Sequence, residues 1–337
     1  MEQEIHFCTA HDGVRIAYAV VGERSNLPLV RVATWLTHLE FDWRSPIWRH
    51  WLEGLANDFF LVRYDPRGCG LSDWQANDIS FESWVRDLEA VVDAVGLDRF
   101  ALLGVSQGGA VGIEYTLRHP GRVSQLILYG AYAKGWAKRA KSETEEREAL
   151  VTLTKQGWGR DNPAYRQIFT TLFVPDATIG QMRWFNDLQR KSMSAENAMK
   201  FQIEAGKLDV VDKLSRVSVP TLVLHARNDA LVPYEAGRLL AASIPNARFV
   251  TLEGRNHILL ETESAWPRFL HEVHNFVGIS PVEALPPKNK GSDSETSSRK
   301  AGAGNSRRLS AIMFLDIVSF TEWSRRMRRL LSNCSRS

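Results

Sequence analysis

The sequence predicts an α/β fold built on a mostly parallel, eight-stranded sheet that is flanked by helices. Short apolar and β-branched runs recur along the chain, and helical patterns separate the later ones. Three of the runs, FFLVRYD, FALLGV and QLILYG, lack polar alternation, which is typical of strands buried on both faces of a parallel sheet. In chain order the eight runs are IHFCTA, RIAYAVVG, LVRVAT, FFLVRYD, FALLGV, QLILYG, TLVLHA and ARFVTLEG.

The segments between these runs predict the remaining elements. His-Asp-Gly between the first two runs is a turn signal that indicates a hairpin. Residues 81–96 place apolar side chains at spacings of three and four, which predicts a helix with one buried face. From about Tyr132 to Ser215 strand signals are weak, while Lys, Arg, Glu and aromatic residues are frequent, so we expect a helical cap after the sixth strand. The last helix is predicted from Trp266 to Phe276.

These patterns divide the chain into five segments. Residues 1–131 form the first part of the α/β core, 132–215 the helical cap and 216–280 the second part of the core. Residues 281–306 are dominated by Pro, Gly, Ser and charge, which indicates a flexible linker. The last segment, 307–337, is expected to be a disordered stub.

Composition is that of a soluble globular protein, with 44% apolar and 24% charged residues. No stretch approaches the roughly 18 to 20 apolar residues that cross a bilayer, and the polar, acidic N-terminus is unlike a signal peptide. The three cysteines lie far apart without metal-ligand spacing, which fits a reducing compartment. We therefore expect a cytoplasmic protein with no membrane partner and no metal.

The net charge of +3 is unevenly distributed. Nine of the 42 Lys and Arg but only two of the 39 Asp and Glu lie from Arg299 onward, so this tail carries +7 and residues 1–298 carry −4. The main body therefore gives no reason to expect a nucleic-acid partner.

Residues 104–108 read Gly-Val-Ser-Gln-Gly, between a predicted strand and a predicted helix. This is the Gly-x-Ser-x-Gly pattern of a nucleophile elbow, in which small residues two before and two after Ser106 let a strained turn close. The helix N-terminus then directs N–H groups toward developing negative charge. The alternative is a glycine-rich turn with a bystander serine.

A serine nucleophile needs a base, and the base needs an orienting acid. Asp229 follows the run TLVLHA, and His257 follows ARFVTLEG, so both lie after the carboxyl end of a predicted strand. Taken alone, Asp229 could be a turn residue and His257 a packing residue. His225 falls within a strand run and is interpreted as structural. The order Ser106, Asp229, His257 predicts a catalytic triad.

Over roughly residues 5–278 the chain resembles the α/β-hydrolase superfamily, through YDPRGCGLSD, GVSQGG, RNDALVP and GRNH. The resemblance implies a nucleophile at Ser106, an acid at Asp229 and a base at His257. It also implies an oxyanion hole formed by the backbone N–H of Gln107 and one from the loop after the third strand. Relatives commonly carry His-Gly in that loop, whereas this chain has Ala-Thr-Trp, so the second donor is predicted to be Trp35, with Thr34 as the alternative.

Tryptophans concentrate near this loop. Trp48 and Trp51 have helical spacing with nearby leucines, which indicates core packing, and Trp35 is expected to line an acyl pocket. Aromatic residues of the predicted cap either complete that pocket or hold the cap helices together. They include Trp136, Trp158, Tyr165, Phe169, Phe173, Trp184 and Phe185.

The tail RRLSAIMFLDIVSFT resembles the opening strand of class III nucleotide cyclase domains, in which an aspartate at the position of Asp316 binds a metal. Only a truncated stub of such a domain follows, so no cyclase activity is expected. The alternative is an unrelated strand with a basic amphipathic helix.

The predicted function is cleavage of carboxylic esters of small to medium acyl groups through an acyl-enzyme, with no cofactor. The partner is a small-molecule ester, and a homodimer is left open. A serine nucleophile argues against dehalogenase and epoxide-hydrolase chemistry, which in this superfamily uses a carboxylate. Lactonase, carbon–carbon hydrolase and perhydrolase activities remain alternatives, since some cofactor-free perhydrolases place tryptophan where Trp35 lies. A slow-turnover ligand sensor on the same scaffold is another alternative.

Overall fold

The structure is a computed structural model that describes residues 1–279. The linker expected at 281–306, the stub expected at 307–337 and Asp316 lie outside the described residues, as does the last residue of segment 216–280. The described strands are β1 (Glu4–Thr9), β2 (Arg15–Val21), β3 (Leu27–Arg31), β4 (Phe59–Tyr64), β5 (Phe100–Val105), β6 (Val123–Tyr129), β7 (Thr221–Ala226) and β8 (Arg248–Leu252).

All eight strands join one sheet in the order β1-β2-β4-β3-β5-β6-β7-β8. The pairs β1–β2 and β2–β4 are antiparallel, and every later neighbouring pair is parallel. Strands β4 and β5, two of the three expected to be covered on both faces, are buried along their whole length, and so is β7. The third expected strand, β6, is buried except at Ser124 and Gln125, which are half-buried. The predicted fold class, a mostly parallel eight-stranded sheet flanked by helices, is confirmed.

Ten α-helices lie within residues 1–279. They are α1 (Leu39–Asp42), α2 (Arg49–Ala56), α3 (Phe81–Val95), α4 (Gly108–Arg118), α5 (Lys141–Gly157), α6 (Ala164–Phe173), α7 (Ile179–Ser192), α8 (Ala195–Lys207), α9 (Tyr234–Ser243) and α10 (Ala265–Val277). Helix α3 begins at a capping box formed by Ser80 and Ser83, and ends where Gly96 takes a φ of 74°. Helix α10 likewise ends before Gly278, with a φ of 79°.

Helices α5 to α8 lie between β6 and β7, and we call the chain between these strands the helical insertion. The insertion is joined to the core at the turn after β4. Asn197 of α8 donates its side-chain amide to the carbonyls of Gly68 (3.0 Å) and Trp74 (2.9 Å), and the Gly70 N–H donates to the Ser192 carbonyl at 2.7 Å. These bonds hold the insertion against the turn, and they give backbone N–H and carbonyl groups of the turn their hydrogen-bond partners.

A buried ion pair holds the same turn against α3. The guanidinium of Arg67 lies 2.7 Å from the Asp87 carboxylate, and both side chains are fully buried. The Arg67 backbone N–H also donates to Asp87, at 3.1 Å. The Asp-Pro-Arg-Gly motif is therefore structural here, because its arginine serves to fix the turn.

Helix α2 is attached to the loop that follows β8. Trp51 is fully buried, and its indole N–H donates to the Leu259 carbonyl at 2.9 Å. His50 lies beside it, with Nε2 3.0 Å from the same carbonyl, so Nε2 carries the proton of the neutral imidazole. Trp48 is also buried, so Trp48 and Trp51 both belong to the core, as their spacing indicated.

The free energy of unfolding is expected to fall between pH 6.5 and about 4. Burial lowers the pKa of His50 from 6.5 to about 4, so across this range the unfolded chain binds a proton that the folded chain excludes. A shift of this size corresponds to up to about 3 kcal/mol. Urea unfolding curves over this range should show the loss.

His50→Gln retains a donor for the Leu259 carbonyl but cannot titrate, so its unfolding free energy should depend less on pH. The matched control is His271→Gln, at an exposed position of α10, which should behave as wild type. An unchanged pH slope in His50→Gln would contradict the assignment.

Candidate active site

Ser106 occupies the turn between β5 and α4. Its φ is 54°, one of only two positive values among the non-glycine residues described. Such a backbone costs on the order of 1–3 kcal/mol and persists only where the surroundings enforce it. Here the Ser106 N–H donates to the Tyr129 carbonyl at 3.0 Å, which extends the β5–β6 ladder into the turn. The serine is therefore held in a strained conformation at the carboxyl end of β5.

Close backbone approach explains the glycines of this turn. A Cβ on Gly104 would lie 2.7 Å from the Gly109 Cα and 2.9 Å from the Gly108 carbonyl oxygen, so no side chain fits. A Cβ on Gly109 would lie 2.4 Å from the Ala131 Cβ, whereas one on Gly108 would meet nothing nearer than 3.3 Å. The pentapeptide motif pointed to Gly104 and Gly108, and missed that Gly109 is the more constrained of the latter two.

Asp229 and His257 form a buried hydrogen-bonded pair. His257 Nδ1 lies 2.7 Å from Asp229 Oδ2, and both side chains are almost fully buried. The other oxygen of Asp229 accepts the backbone N–H groups of Leu231 and Val232, each at 2.9 Å. The carboxylate is thus fixed by three donors, and it fixes the imidazole in turn.

The protonation state of Asp229 follows from these contacts. Burial acts to raise the pKa of Asp229. The charge and hydrogen bond of His257, the nearby His225 and the Val232 N–H act to lower this pKa, and together they outweigh the effect of burial. The net result is a pKa below the ordinary value, so Asp229 is ionised at neutral pH and keeps the proton of His257 on Nδ1.

His225 has a role that its position in a strand did not reveal. It is fully buried in β7, and its Nε2 lies 3.1 Å from the Val232 carbonyl and 3.7 Å from Asp229 Oδ2. Burial lowers the pKa of His225, which keeps it neutral. Val232 is thus held by its N–H to Asp229 and by its carbonyl to His225, so His225 supports the loop that carries Asp229.

Ser106 and His257 face a common cavity of about 10 Å³, which we call the small cavity. His257 Nε2 is buried and has no hydrogen-bond partner among the described residues. The structure therefore brings together the three residues predicted from the sequence: Ser106 and His257 at the small cavity, and Asp229 behind the imidazole.

The predicted oxyanion donors border the same space. Gln107 and Trp35 both line the small cavity, as does Thr34. Within residues 1–279, none of these three backbone N–H groups donates to a backbone carbonyl. The Trp35 carbonyl accepts the Cys69 thiol at 3.2 Å, which fixes the loop. The choice between Trp35 and Thr34 stays a prediction.

A larger cavity of about 80 Å³, the main cavity, also opens onto Ser106. Apolar and aromatic side chains dominate its walls, and most of them come from the helical insertion. Its lining consists of Trp35, Ser106, Gln107, Tyr132, Trp136, Arg139, Arg147, Leu150, Phe169, Phe173, Phe201, Gln202, Ala205, Leu231 and Val232.

The aromatic residues expected in the cap divide between the two roles considered. Trp136, Phe169 and Phe173 line the main cavity, and Phe173 and Phe185 line the small one. Trp35 lines both cavities, as expected for a pocket residue. The aromatic residues that line neither cavity are Trp158, Tyr165 and Trp184.

The insertion also supports His257 directly. The Phe173 carbonyl, at the C-terminus of α6, accepts the backbone N–H groups of His257 (2.9 Å) and Ile258 (3.2 Å). The last carbonyls of a helix lack intrahelical partners, so α6 supplies an acceptor at no cost to its own hydrogen bonding. Nearby, Asn256 accepts the Asp176 N–H at 3.0 Å. The loop that carries His257 is therefore held by the insertion.

The described part of the chain, residues 1–279, has neither a cluster of metal-ligand side chains nor a membrane-spanning helix. No group of three or more His, Cys, Asp or Glu side chains there is arranged to hold a metal ion. No helix in this part of the chain is long and apolar enough to span a bilayer.

Comparison with known proteins identifies the family. The model of the alpha/beta hydrolase fold family matches residues 43–264, and the chain belongs to this family. A non-heme chloroperoxidase of Streptomyces lividans is 28% identical over 264 residues, covering 75% of this chain and 93% of its own length. A pimeloyl-[acyl-carrier protein] methyl ester esterase of Nitrosomonas europaea is 28% identical over 234 residues, covering 68% and 88%.

Among solved structures, a hydrolase from Pseudomonas aeruginosa PA01 superposes with a TM-score of 0.68 at 25% identity. The match covers 82% of this chain and 98% of that one. The similarity supports the assignment of this chain as a hydrolase of the α/β family.

Gly130→Ala is expected to disturb the pair formed by Asp229 and His257. Gly130 follows β6 with a φ of 53°, and a Cβ there would lie 2.9 Å from His257 Cε1 and 3.5 Å from Asp229 Oδ2. We expect the downfield proton NMR signal of the imidazole Nδ1–H to shift or disappear. The unfolding free energy should also fall by about 1 kcal/mol or more.

Gly121→Ala is the matched control, since Gly121 has a φ of 92° but open space around the added Cβ. It should be destabilised by backbone strain and retain the signal. Retention of an unshifted signal in Gly130→Ala would show that the close approach is not a constraint.

Proposed function

We propose that this protein hydrolyses carboxylic esters of small to medium acyl groups through an acyl-enzyme on Ser106. The observation that carries the proposal is the strained Ser106, which shares the small cavity with a histidine whose Nε2 is buried and unpartnered. That histidine is held by the buried Asp229. A nucleophile, a base and an orienting acid are the groups that acyl transfer requires.

In the first half-reaction the Ser106 hydroxyl oxygen attacks the ester carbonyl, and His257 Nε2 takes the hydroxyl proton. The carbonyl oxygen becomes an oxyanion that accepts the N–H groups of Gln107 and Trp35. Collapse of the tetrahedral intermediate breaks the bond to the alcohol oxygen, which takes the proton from His257. The acyl group is left on Ser106.

In the second half-reaction a water attacks the acyl carbon and gives its proton to His257, which returns it to Ser106 as the acid departs. The small cavity supports this step, because its 10 Å³ is close to the roughly 10–15 Å³ needed by one water, and Ser106 and His257 both line it. Asp229 holds the imidazole proton on Nδ1 and stabilises the imidazolium formed in each half-reaction.

The helical insertion serves in this proposal as the cap of the site. It supplies Trp136, Phe169 and Phe173 to the main cavity, and these side chains would enclose an acyl chain and exclude water. The Nitrosomonas relative supports ester cleavage, since its name describes an esterase of a methyl ester.

Perhydrolysis is a second candidate. The Streptomyces relative is named a chloroperoxidase, and Trp35 lines both cavities beside Ser106. Hydrogen peroxide would replace water in the second half-reaction, releasing a peracid and regenerating Ser106. Adding peroxide to the ester assay and measuring peracid formation tests this candidate.

Purified protein is expected to hydrolyse p-nitrophenyl esters in a series from acetate to octanoate, with kcat/KM highest where the acyl chain fills the main cavity. Ser106→Ala should lower kcat by at least about 10³-fold, because no covalent intermediate can form. Asp229→Asn should lower it by a similar factor, because the imidazole loses its orienting acceptor.

Ser215→Ala, at an exposed position of the 3-10 helix Val211–Arg216, is the matched control and should retain wild-type rates. If no ester in the series turns over faster than with Ser106→Ala, while a ligand binds saturably, the protein is a sensor rather than an esterase.

A further inference from the structure

The main cavity contains a charge that ester hydrolysis alone does not need. Its walls are mostly apolar, yet Arg139 and Arg147 both line it, and no Asp or Glu does. Both arginines belong to the helical insertion, near the start of α5 and within it. An apolar cavity with two cations and no anion on its walls is electrostatically prepared for a negatively charged ligand.

The two arginines differ in how far their charge is neutralised. Arg139 Nη1 lies 3.5 Å from a carboxylate oxygen of Glu143, one turn further along the chain. Among residues 1–279, no carboxylate oxygen lies within 4.0 Å of the Arg147 guanidinium, which donates from Nη2 to the Leu231 carbonyl. Arg147 therefore keeps most of its five donors and its full charge.

Because Arg147 is partly removed from water, its charge costs free energy unless an anion binds it. Arg147 is half-buried, and burial lowers its pKa despite the neighbouring Glu146. A cation removed from water gains most from an anion that accepts two of its N–H groups. A carboxylate matches the planar guanidinium in shape and in charge.

Arg147 also lies in the same cavity as Ser106 and is bonded to the loop of Asp229. Its hydrogen bond ends on Leu231, whose own N–H is bound by Asp229, so the arginine is anchored to the loop that carries the acid. Leu231 lines the main cavity, as does Ser106. One ligand can therefore place an ester at Ser106 and a second group at Arg147.

We propose that the substrate of this protein is an ester that also carries a free carboxylate, and that Arg147, assisted by Arg139, binds that carboxylate in the main cavity. The proposal rests on the proposed ester hydrolysis and adds the substrate class. Arg147 acts here as a specificity-determining residue, since it binds substrate away from the reacting atoms.

The test compares matched esters. Monomethyl esters of dicarboxylic acids, from succinate to suberate, are assayed beside methyl esters of monocarboxylic acids of equal chain length. Acetate esters of ω-hydroxy acids, beside acetates of simple alcohols, place the carboxylate on the alcohol side instead. For the favoured side and length, we expect kcat/KM for the anionic ester to exceed that of its neutral match by about tenfold or more.

Arg147→Gln should reduce this preference by about tenfold or more, and Arg147→Lys should retain part of it, because the charge remains while the bidentate geometry is lost. Raising the ionic strength should weaken the preference in wild type. Arg183→Gln, at an exposed position on α7 outside both cavities, is the matched control and should leave it unchanged.

Three outcomes would overturn the proposal. The first is equal kcat/KM for anionic and neutral esters on both sides. The second is a preference that Arg147→Gln leaves intact while both rates fall together, which would assign Arg147 to holding the Leu231 loop. The third concerns the case in which no ester of either kind is hydrolysed, so that the proposed function fails. The anion site is then also wrong if calorimetry detects no binding of glutarate or adipate, or detects binding that Arg147→Gln does not weaken. Binding that Arg147→Gln weakens would instead support the anion site without esterase activity.

Discussion

A parallel sheet brings the carboxyl ends of its strands to one edge, and the candidate site depends on this constraint. Ser106 follows β5, Gly130 follows β6, Asp229 follows β7 and His257 follows β8, so residues distant in the chain lie together. The hydrogen bond from His257 to Asp229 exists because β7 and β8 are neighbours in register. The side chains of His257 and Asp229 lie so close to the residue after β6 that this residue must be glycine.

The helical insertion contributes support as well as enclosure. The Phe173 carbonyl at the end of α6, which has no partner within its own helix, accepts the His257 backbone N–H. Arg147 of α5 donates to the Leu231 carbonyl and so holds the loop of Asp229. The same helices supply the apolar walls of the main cavity. Because one segment shapes the pocket and positions the loops of His257 and Asp229, changes in its packing should alter substrate choice and rate together in the proposed reaction.

The sequence predicted those features that depend on local pattern. Unbroken apolar runs predicted buried strands, spacing of three and four predicted α3, and Gly104 and Gly108 on either side of Ser106 predicted the elbow. The hydrogen bond from His257 to the Phe173 carbonyl, and the placement of Arg147 in the main cavity, depend on how the insertion packs onto the sheet. Such contacts between distant segments leave no periodic or spacing signal. The catalytic roles of the triad belong to the proposal.

The central claim is that His257 and Asp229 activate Ser106 as a nucleophile, and covalent labelling tests it most directly. The protein is treated with a fluorophosphonate probe, and the adduct is located by mass spectrometry of its peptides. The account predicts a single adduct on Ser106, absent in Ser106→Ala and formed far more slowly in His257→Ala and Asp229→Asn. Labelling at another residue that survives Ser106→Ala, or a rate on Ser106 unchanged without His257, would contradict it.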